Sequence, residues 1–284
     1  MSLFELVERP DLDSPVVVLA LEGWIDAGLG AAQALATILE STEMETVAVF
    51  DSDALLDHRA RRPTMHLVDG VNAGLSWPSI ELRAATDQHG HEALFLLGAE
   101  PDHRWRAFSR AVVDLALEFG SRLVVGLGAY PAPVPHTRPT RLVSTATSSE
   151  LAELVGFVHG RIDVPAGVHA AIERRCADVG IPAVGLWAQV PHYAAAMPYP
   201  AASLALIEGL ARIADLSFDT GALAAEAAST RDRLDALVAN SEEHVEMVRQ
   251  LEHHVDTMEA ADRDGLPTGD ELAAELERFL REQD

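Results

Sequence analysis

The chain has 284 residues, 48% of them hydrophobic, and a formal net charge of −24 at pH 7. That length buries one large core, or a core plus an appendage. The charge excludes a general nucleic-acid binder, because phosphate neutralisation needs clustered cations and none occur beyond His58-Arg59-Ala60-Arg61-Arg62, which reads as a local ion-pair network.

All 21 cations are arginine, so a Schiff-base lysine and a phosphate-loop lysine are both excluded. No run of about 18 apolar residues occurs, and the start, MSLFELVERP, lacks a basic segment followed by an apolar one. Neither a membrane span nor a signal peptide is expected, and the expected location is the cytoplasm. The single cysteine, Cys176, forms no internal disulfide and sits in AIERRCADVG, an ordinary helical pattern.

In chain order, VVVLAL (16–21) reads as a strand buried on both faces, the signature of a parallel sheet covered by helices. GLGAAQALATILE follows with helical spacing, and VAVF (47–50) reads as the next buried strand, giving a βαβ unit. The stretch 64–97 alternates and contains Asp-Gly and His-Gly turn pairs, which predicts a β-hairpin or meander inserted into the sheet.

WRAFSRAVVDLALEFG (105–120) predicts an amphipathic helix with a glycine stop, and RLVVGLG (122–128) a buried strand. TRLVSTAT (140–147) reads as a further strand, SSELAEL as a serine-capped helix, VHAAIERRCADVG as a helix and AVGLWAQV (183–190) as the last core strand. PAASLALIEGLARIADL closes the core with an apolar face at 204, 207, 210 and 213/214. The predicted fold is therefore α/β, a three-layer α/β/α core over residues 1–218 with a mostly parallel or mixed sheet and an inserted hairpin near 64–97.

Residues 219–284 carry 18 acidic residues against 6 arginines, half of the whole charge deficit. Leu234, Leu237, Ser241, Val245, Val248, Leu251, Val255 and Met258 follow spacings of three or four, which predicts one long amphipathic helix. Residues 265–269 break it, and ELAAELERFLRE predicts a final helix. The expectation is an acidic helical extension packed on the core as a lid.

Ligands of open parallel sheets bind beyond the carboxyl ends of the strands. Those ends are rich in polar and aromatic residues, and they supply the candidate ligand-binding set Trp24, Asp26, Glu100, His136, Arg138, Trp187, Gln189, His192 and Tyr193. His136 or His192 fits a general base that Asp26 or Glu100 would orient, but no Gly-x-Ser-x-Gly elbow supplies a nucleophile. The alternative is a hydrogen-bonded loop strut. The glycines of 23–30 lack dinucleotide spacing and read as a tight turn, with Asp51 and Asp53 a weak residual hint of a ribose ligand.

His89, His91, Glu252, His253 and His254 meet no zinc-protease spacing, so no metal and no cofactor is expected. The stretch 129–135, AYPAPVP, is a stiff segment that either lines a groove or lids the sheet edge.

GWIDAG, HRARRPTMHLVDG, EPDHRWRAF, LGAYPAPVPHTRP and GLWAQVPHYAAAMPYPAA together resemble the actinobacterial branch of the proteasome assembly chaperone family, chaperone-two type. The likeness runs over roughly residues 14–282, including PTGDELAAELERFLRE. It implies a core similar to purine nucleoside phosphorylases and some hydrolases, an oligomerising hairpin near 64–97, a C-terminal helical lid and ATP-independent chaperone activity. It also implies a homo-oligomer, with a trimer favoured. Some relatives bind proteasome subunits through a C-terminal hydrophobic-Tyr-any tail, and the ending FLREQD departs from that pattern. No catalytic residues carry over.

Two functions are therefore expected as alternatives. The preferred one is a non-catalytic assembly chaperone or adaptor that binds a partner protein or small ligand at the strand-end cleft. The other is an enzyme or ligand-binding protein in which Arg138 clamps an anion, His136 or His192 moves a proton, and Trp24, Trp187 or Tyr193 stacks on a ring.

Overall fold

An unbroken apolar run such as VVVLAL satisfies both its faces only between two layers of helix, and that is where it lies. The computed structural model describes residues 3–23 and 25–264. Trp24, the break at 265–269 and the expected last helix fall outside them.

In chain order the elements begin with β1 (Phe4–Leu6), β2 (Val16–Glu22), α1 (Gly30–Ser41), β3 (Met44–Phe50) and α2 (Ser52–Leu55). Next come β4 (Thr64–Val68), β5 (Val71–Ser76), β6 (Ile80–Thr86), β7 (Glu92–Ala99), α3 (Trp105–Glu118) and β8 (Leu123–Ala132). The chain continues through β9 (Leu142–Ala146), α4 (Ser149–Val155), α5 (Val168–Val179), β10 (Ala183–Pro191), α6 (Pro200–Ala214), α7 (Gly221–Ala239) and α8 (Glu242–Asp264).

Eight strands form one mixed sheet in the order β1-β3-β6-β7-β2-β8-β10-β9. The central four, β7, β2, β8 and β10, are parallel, and antiparallel strands flank them on both sides. Alternation along β2 divides the interior. Val16, Val18 and Ala20 face a layer of α1, α6 and α7, while Val17, Leu19 and Leu21 face α3 and α5. The fold is a three-layer α/β/α sandwich.

Three details differ from the sequence expectation. First, β2, α1 and β3 follow one another as predicted, but β7 and β6 lie between the two strands in the sheet. Periodicity reports which faces are buried; it carries no information about which strand supplies the hydrogen bonds.

Second, the hairpin is confined to β4 and β5, a separate two-stranded sheet joined through Asp69 and Gly70, both at positive φ as the tight two-residue turn requires. β6 and β7 belong to the main sheet, because Ile80, Leu82 and Ala84 alternate into the core and Ala93 to Leu97 is buried throughout.

Third, the stripe from Leu234 to Met258 spans two helices. The Ser241 hydroxyl accepts from His244 N–H at 3.4 Å and starts α8. Asp235 reaches His136 and Glu252 reaches Thr137, partners adjacent in sequence. A continuous helix would hold those two carboxylates about 25 Å apart, so the chain reverses near Asn240. The apolar spacing runs across the break because both helices present a stripe to the same body.

Phe108 on α3 is fully buried, with its ring 5.0 Å from that of Phe50. Phe108→Ala should cost about 3–5 kcal/mol in equilibrium urea unfolding. A loss below about 1 kcal/mol would contradict the close packing of this layer.

Candidate functional site

Because β2, β3, β7, β8 and β10 all point the same way, their carboxyl ends open at one rim of the sheet. The loops leaving that rim are tied to one another. Gly28 N–H donates to Ala195 C=O and Tyr199 N–H donates to Gly28 C=O, both at 2.8 Å, so the turn after β2 and the loop after β10 are stitched in both directions. Gly28 has φ +64°, and a Cβ there would lie 2.6 Å from that of Tyr199, so only glycine fits.

The candidate residues fall into three groups. Asp26, Glu100 and Trp187 line a pocket of about 40 Å³, together with His169 from the first turn of α5. The Asp26 carboxylate accepts from Ala31 N–H at 2.8 Å and Ala32 N–H at 3.0 Å, and so holds the start of α1. Burial pushes this carboxyl up, against the pull of those backbone donors. The Glu100 carboxylate does the same for α5, accepting from Val168 N–H at 2.6 Å.

Trp187 lies flat on Gly128, where an added Cβ would come within 2.5 Å of the indole, and its Nε1 faces the Thr145 hydroxyl at 3.4 Å. His169 lies over Gly126 less tightly, with Nδ1 3.4 Å from where a Cβ would stand. Its Nε2 is sealed from solvent without a hydrogen-bond partner, and burial lowers the imidazole to about 4.

The second group is His136, Arg138 and Tyr193, which meet the acidic helices. His136 is buried, with Nδ1 2.6 Å from the Tyr193 hydroxyl and Nε2 3.1 Å from Asp235. His136 N–H also donates to that hydroxyl at 2.8 Å. The phenol thus bridges the backbone N–H and Nδ1 of His136, while Nε2 faces the Asp235 carboxylate. Burial pushes the Tyr193 phenol up to about 12, so it keeps its proton at physiological pH and acts as a strut.

Arg138 makes a fork to Asp256, 2.8 Å on both arms, and reaches Glu252 at 3.1 Å. Thr137 donates to Glu252 at 2.6 Å, and Arg231 donates to Thr137 C=O at 3.0 Å. The guanidinium of Arg138 holds the Asp256 carboxyl below its usual range.

Gln189 stands apart. It donates to the Tyr130 hydroxyl at 3.0 Å and lines a wider groove of about 750 Å³ at the β9 edge, walled by α6 and α8. His192 is exposed, with its ring edge-on to Tyr193. Asp51 caps α2 by accepting from Ala54 N–H, and Asp53 pairs with His58 at 3.0 Å. The structure thus divides the described candidates between the small pocket, the helix clamp and the groove, with His192 left in solvent.

Sequence reasoning missed His169, Asp235 and Asp256. The first sits in an apparently ordinary helical pattern, and its only sequence signal is the pair of glycines in VVGLG that make room for two rings. Among the described residues, no three His, Cys, Asp or Glu side chains converge to hold a metal ion. Cys176 is buried, which pushes its thiol up to about 12. No helix among the described residues is long and apolar enough to cross a membrane.

Residues 20–238 match the model of the PAC2 family, and the chain belongs to this family, as its motifs indicated. A Mycobacterium tuberculosis protein of unknown function is 36% identical, with a TM-score of 0.83 over 93% of this chain and 92% of that one. A Corynebacterium glutamicum protein of unknown function is 32% identical, with a TM-score of 0.84 over 91% and 99%. A Mycobacterium tuberculosis proteasome-assembly chaperone homologue is 32% identical, with a TM-score of 0.75 over 82% and 99%. No curated protein matches.

His136→Ala leaves a buried phenol and the Asp235 carboxylate without their shared partner and should cost about 2 kcal/mol. His192→Ala should stay within about 0.5 kcal/mol. Equal losses in chemical denaturation would contradict these placements. His169 gives a pH dependence. Its folded value of about 4 lies below the ordinary 6.5, so the unfolded chain binds the extra proton between those values. Stability should be full above about pH 6.5 and fall, by up to ~3 kcal/mol, as the pH drops toward 4. His169→Gln should flatten that slope; an unchanged slope would show that the imidazole is not the group responsible.

Proposed function

We propose that the protein is a non-catalytic assembly chaperone or adaptor that associates with copies of itself through the β4–β5 hairpin and takes a partner protein on the side of the strand-end rim. The hairpin carries this reading. Met65, Leu67, Val68, Val71 and Leu75 are between 44% and 67% exposed, with Met65, Leu67 and Leu75 on one face and Val68 and Val71 on the other of a two-stranded ribbon that has no core of its own. A trimer is the assembly favoured by the family likeness.

The rim supports the same reading. Trp187, Tyr193 and Tyr199 occupy it, and the small pocket has room for water rather than a substrate ring. The helices α7 and α8 act as the lid over this side, and the cytoplasm is the expected compartment.

A second reading, an enzyme or small-ligand site of phosphorylase or hydrolase type, draws on the unpartnered His169 Nε2 beside Asp26 and Glu100. Stabilisation of about 2.7 kcal/mol at a hundredfold excess over Kd would favour it in a thermal-shift panel of nucleosides, phosphate and acyl substrates.

The hairpin reading is tested by light scattering after gel filtration. The wild type should run as an oligomer and Leu67→Glu/Val71→Glu as a protomer with unchanged circular dichroism; a wild-type protomer, or a variant of wild-type mass, would overturn it. The chaperone reading is tested by native mass spectrometry with purified proteasome subunits. A stoichiometric complex is expected, and its absence would count against this function.

A further inference from the structure

The stretch His58 to Arg62 reads in sequence as a closed ion-pair network, but only part of it is paired. His58 meets Asp53 and Arg61 meets Asp102, whereas Arg59 and Arg62 are exposed and make no ion pair among the described residues. A second basic stretch lies against this one. The N–H groups of Asp102 and His103 donate to Leu55 C=O at 2.9 and 3.0 Å. The Asp102 carboxylate accepts from Asp57 N–H at 2.8 Å and from Arg61 Nε at 3.2 Å. These bonds tie the loop that carries Arg59 and Arg62 to the start of α3, which carries Arg104 and Arg106, with Arg110 one turn further along the helix. All five guanidiniums face solvent, and none pairs with a carboxylate among the described residues.

Two features set this patch apart from ordinary solvated arginine. Arg161 and Arg212 also stay exposed without an ion pair among the described residues, but these five come from two short stretches that the bonds above hold together. Arg104 and Arg106 do not serve α3 either, because cations at a helix start oppose its dipole and the first turn has no acidic residue. At the root of the hairpin, Trp77 is 54% exposed, held edge-on by His58 at 4.9 Å. Arginine grouped around an open tryptophan is the composition of protein-binding hot spots.

We propose that Arg59, Arg62, Arg104, Arg106 and Trp77 form a docking surface for an acidic segment of a partner protein. The guanidiniums pair with its carboxylates in forked geometry, and the indole takes an apolar side chain between them. Nucleic acid fits less well, since Asp53, Asp57 and Asp102 interleave with the cations and the whole chain carries −24. The inference rests on the adaptor reading, for which it names the face and the partner's chemistry.

The test is fluorescence anisotropy with the full chain and a labelled peptide of Glu, Ser and Leu. Its counterpart with Gln for Glu and a labelled oligothymidylate serve as comparisons. The acidic peptide should bind, the Gln peptide should not, and added salt should weaken the complex. Arg59→Glu/Arg62→Glu/Arg106→Glu should lose about tenfold or more in affinity with an unchanged melting temperature, while Arg174→Glu, whose residue pairs with Asp178 elsewhere, should not. Failure of the wild type to bind, equal binding by the triple variant, or tighter binding of the oligothymidylate would overturn the proposal. A change of oligomeric mass in the variant would also overturn it, by making this face a contact between copies. If the wild type and the triple variant capture proteasome subunits equally, the adaptor reading stands and this surface falls.

Discussion

Four parallel strands placed side by side impose the rest of the architecture. Parallel neighbours cannot be joined by a tight turn, so each connection must travel back along a face of the sheet, and helices accumulate on both sides of β7, β2, β8 and β10. The same geometry sends every one of their carboxyl ends to a single rim. A rim of that kind exposes the starts of the returning helices, whose free N–H groups need acceptors. Asp26 supplies them for α1 and Glu100 for α5. Two carboxylates that look catalytic in the sequence thus satisfy the backbone at the points where the chain re-enters the sandwich.

Glycine spacing decides what else the rim holds. Gly126 and Gly128 leave the sheet surface bare enough for His169 and Trp187 to lie against it. The rings fill the space that an open α/β enzyme would offer to a ligand, leaving a residue of about 40 Å³. On the opposite layer the loop 136–138 is clasped by α7 and α8 almost wholly through charge and hydrogen bonds, with Leu234, Val248 and Val255 adding a narrow apolar seam. Three of the carboxylates on these helices have a local purpose, since they hold one short loop.

The molecule is polarised as a consequence. Acidic helices roof one side of the rim, and the segments that follow β3 and β7 carry the open arginines at the root of an apolar hairpin. Buried chemistry is sparse, His169 Nε2 being one of its few unpartnered atoms, whereas exposed chemistry is concentrated, a distribution that suits a protein working through its surface.

The sequence by itself determined the layers. Continuous apolar runs marked the parallel strands, a period of three to four marked the helices, and Asp-Gly marked the hairpin turn, because these signals depend on which faces are buried and on local backbone conformation. It also placed the candidate residues at the strand ends, since strand direction follows from the order of elements. Only the tertiary structure decided which of them meet. Asp26 and Glu100 joined His169, His136 and Arg138 joined helices about a hundred residues later, and Gln189 turned to another groove. Those pairings depend on strand order, on the reversal at Asn240 and on the layer each loop enters, and such long-range choices leave no periodic trace in the chain.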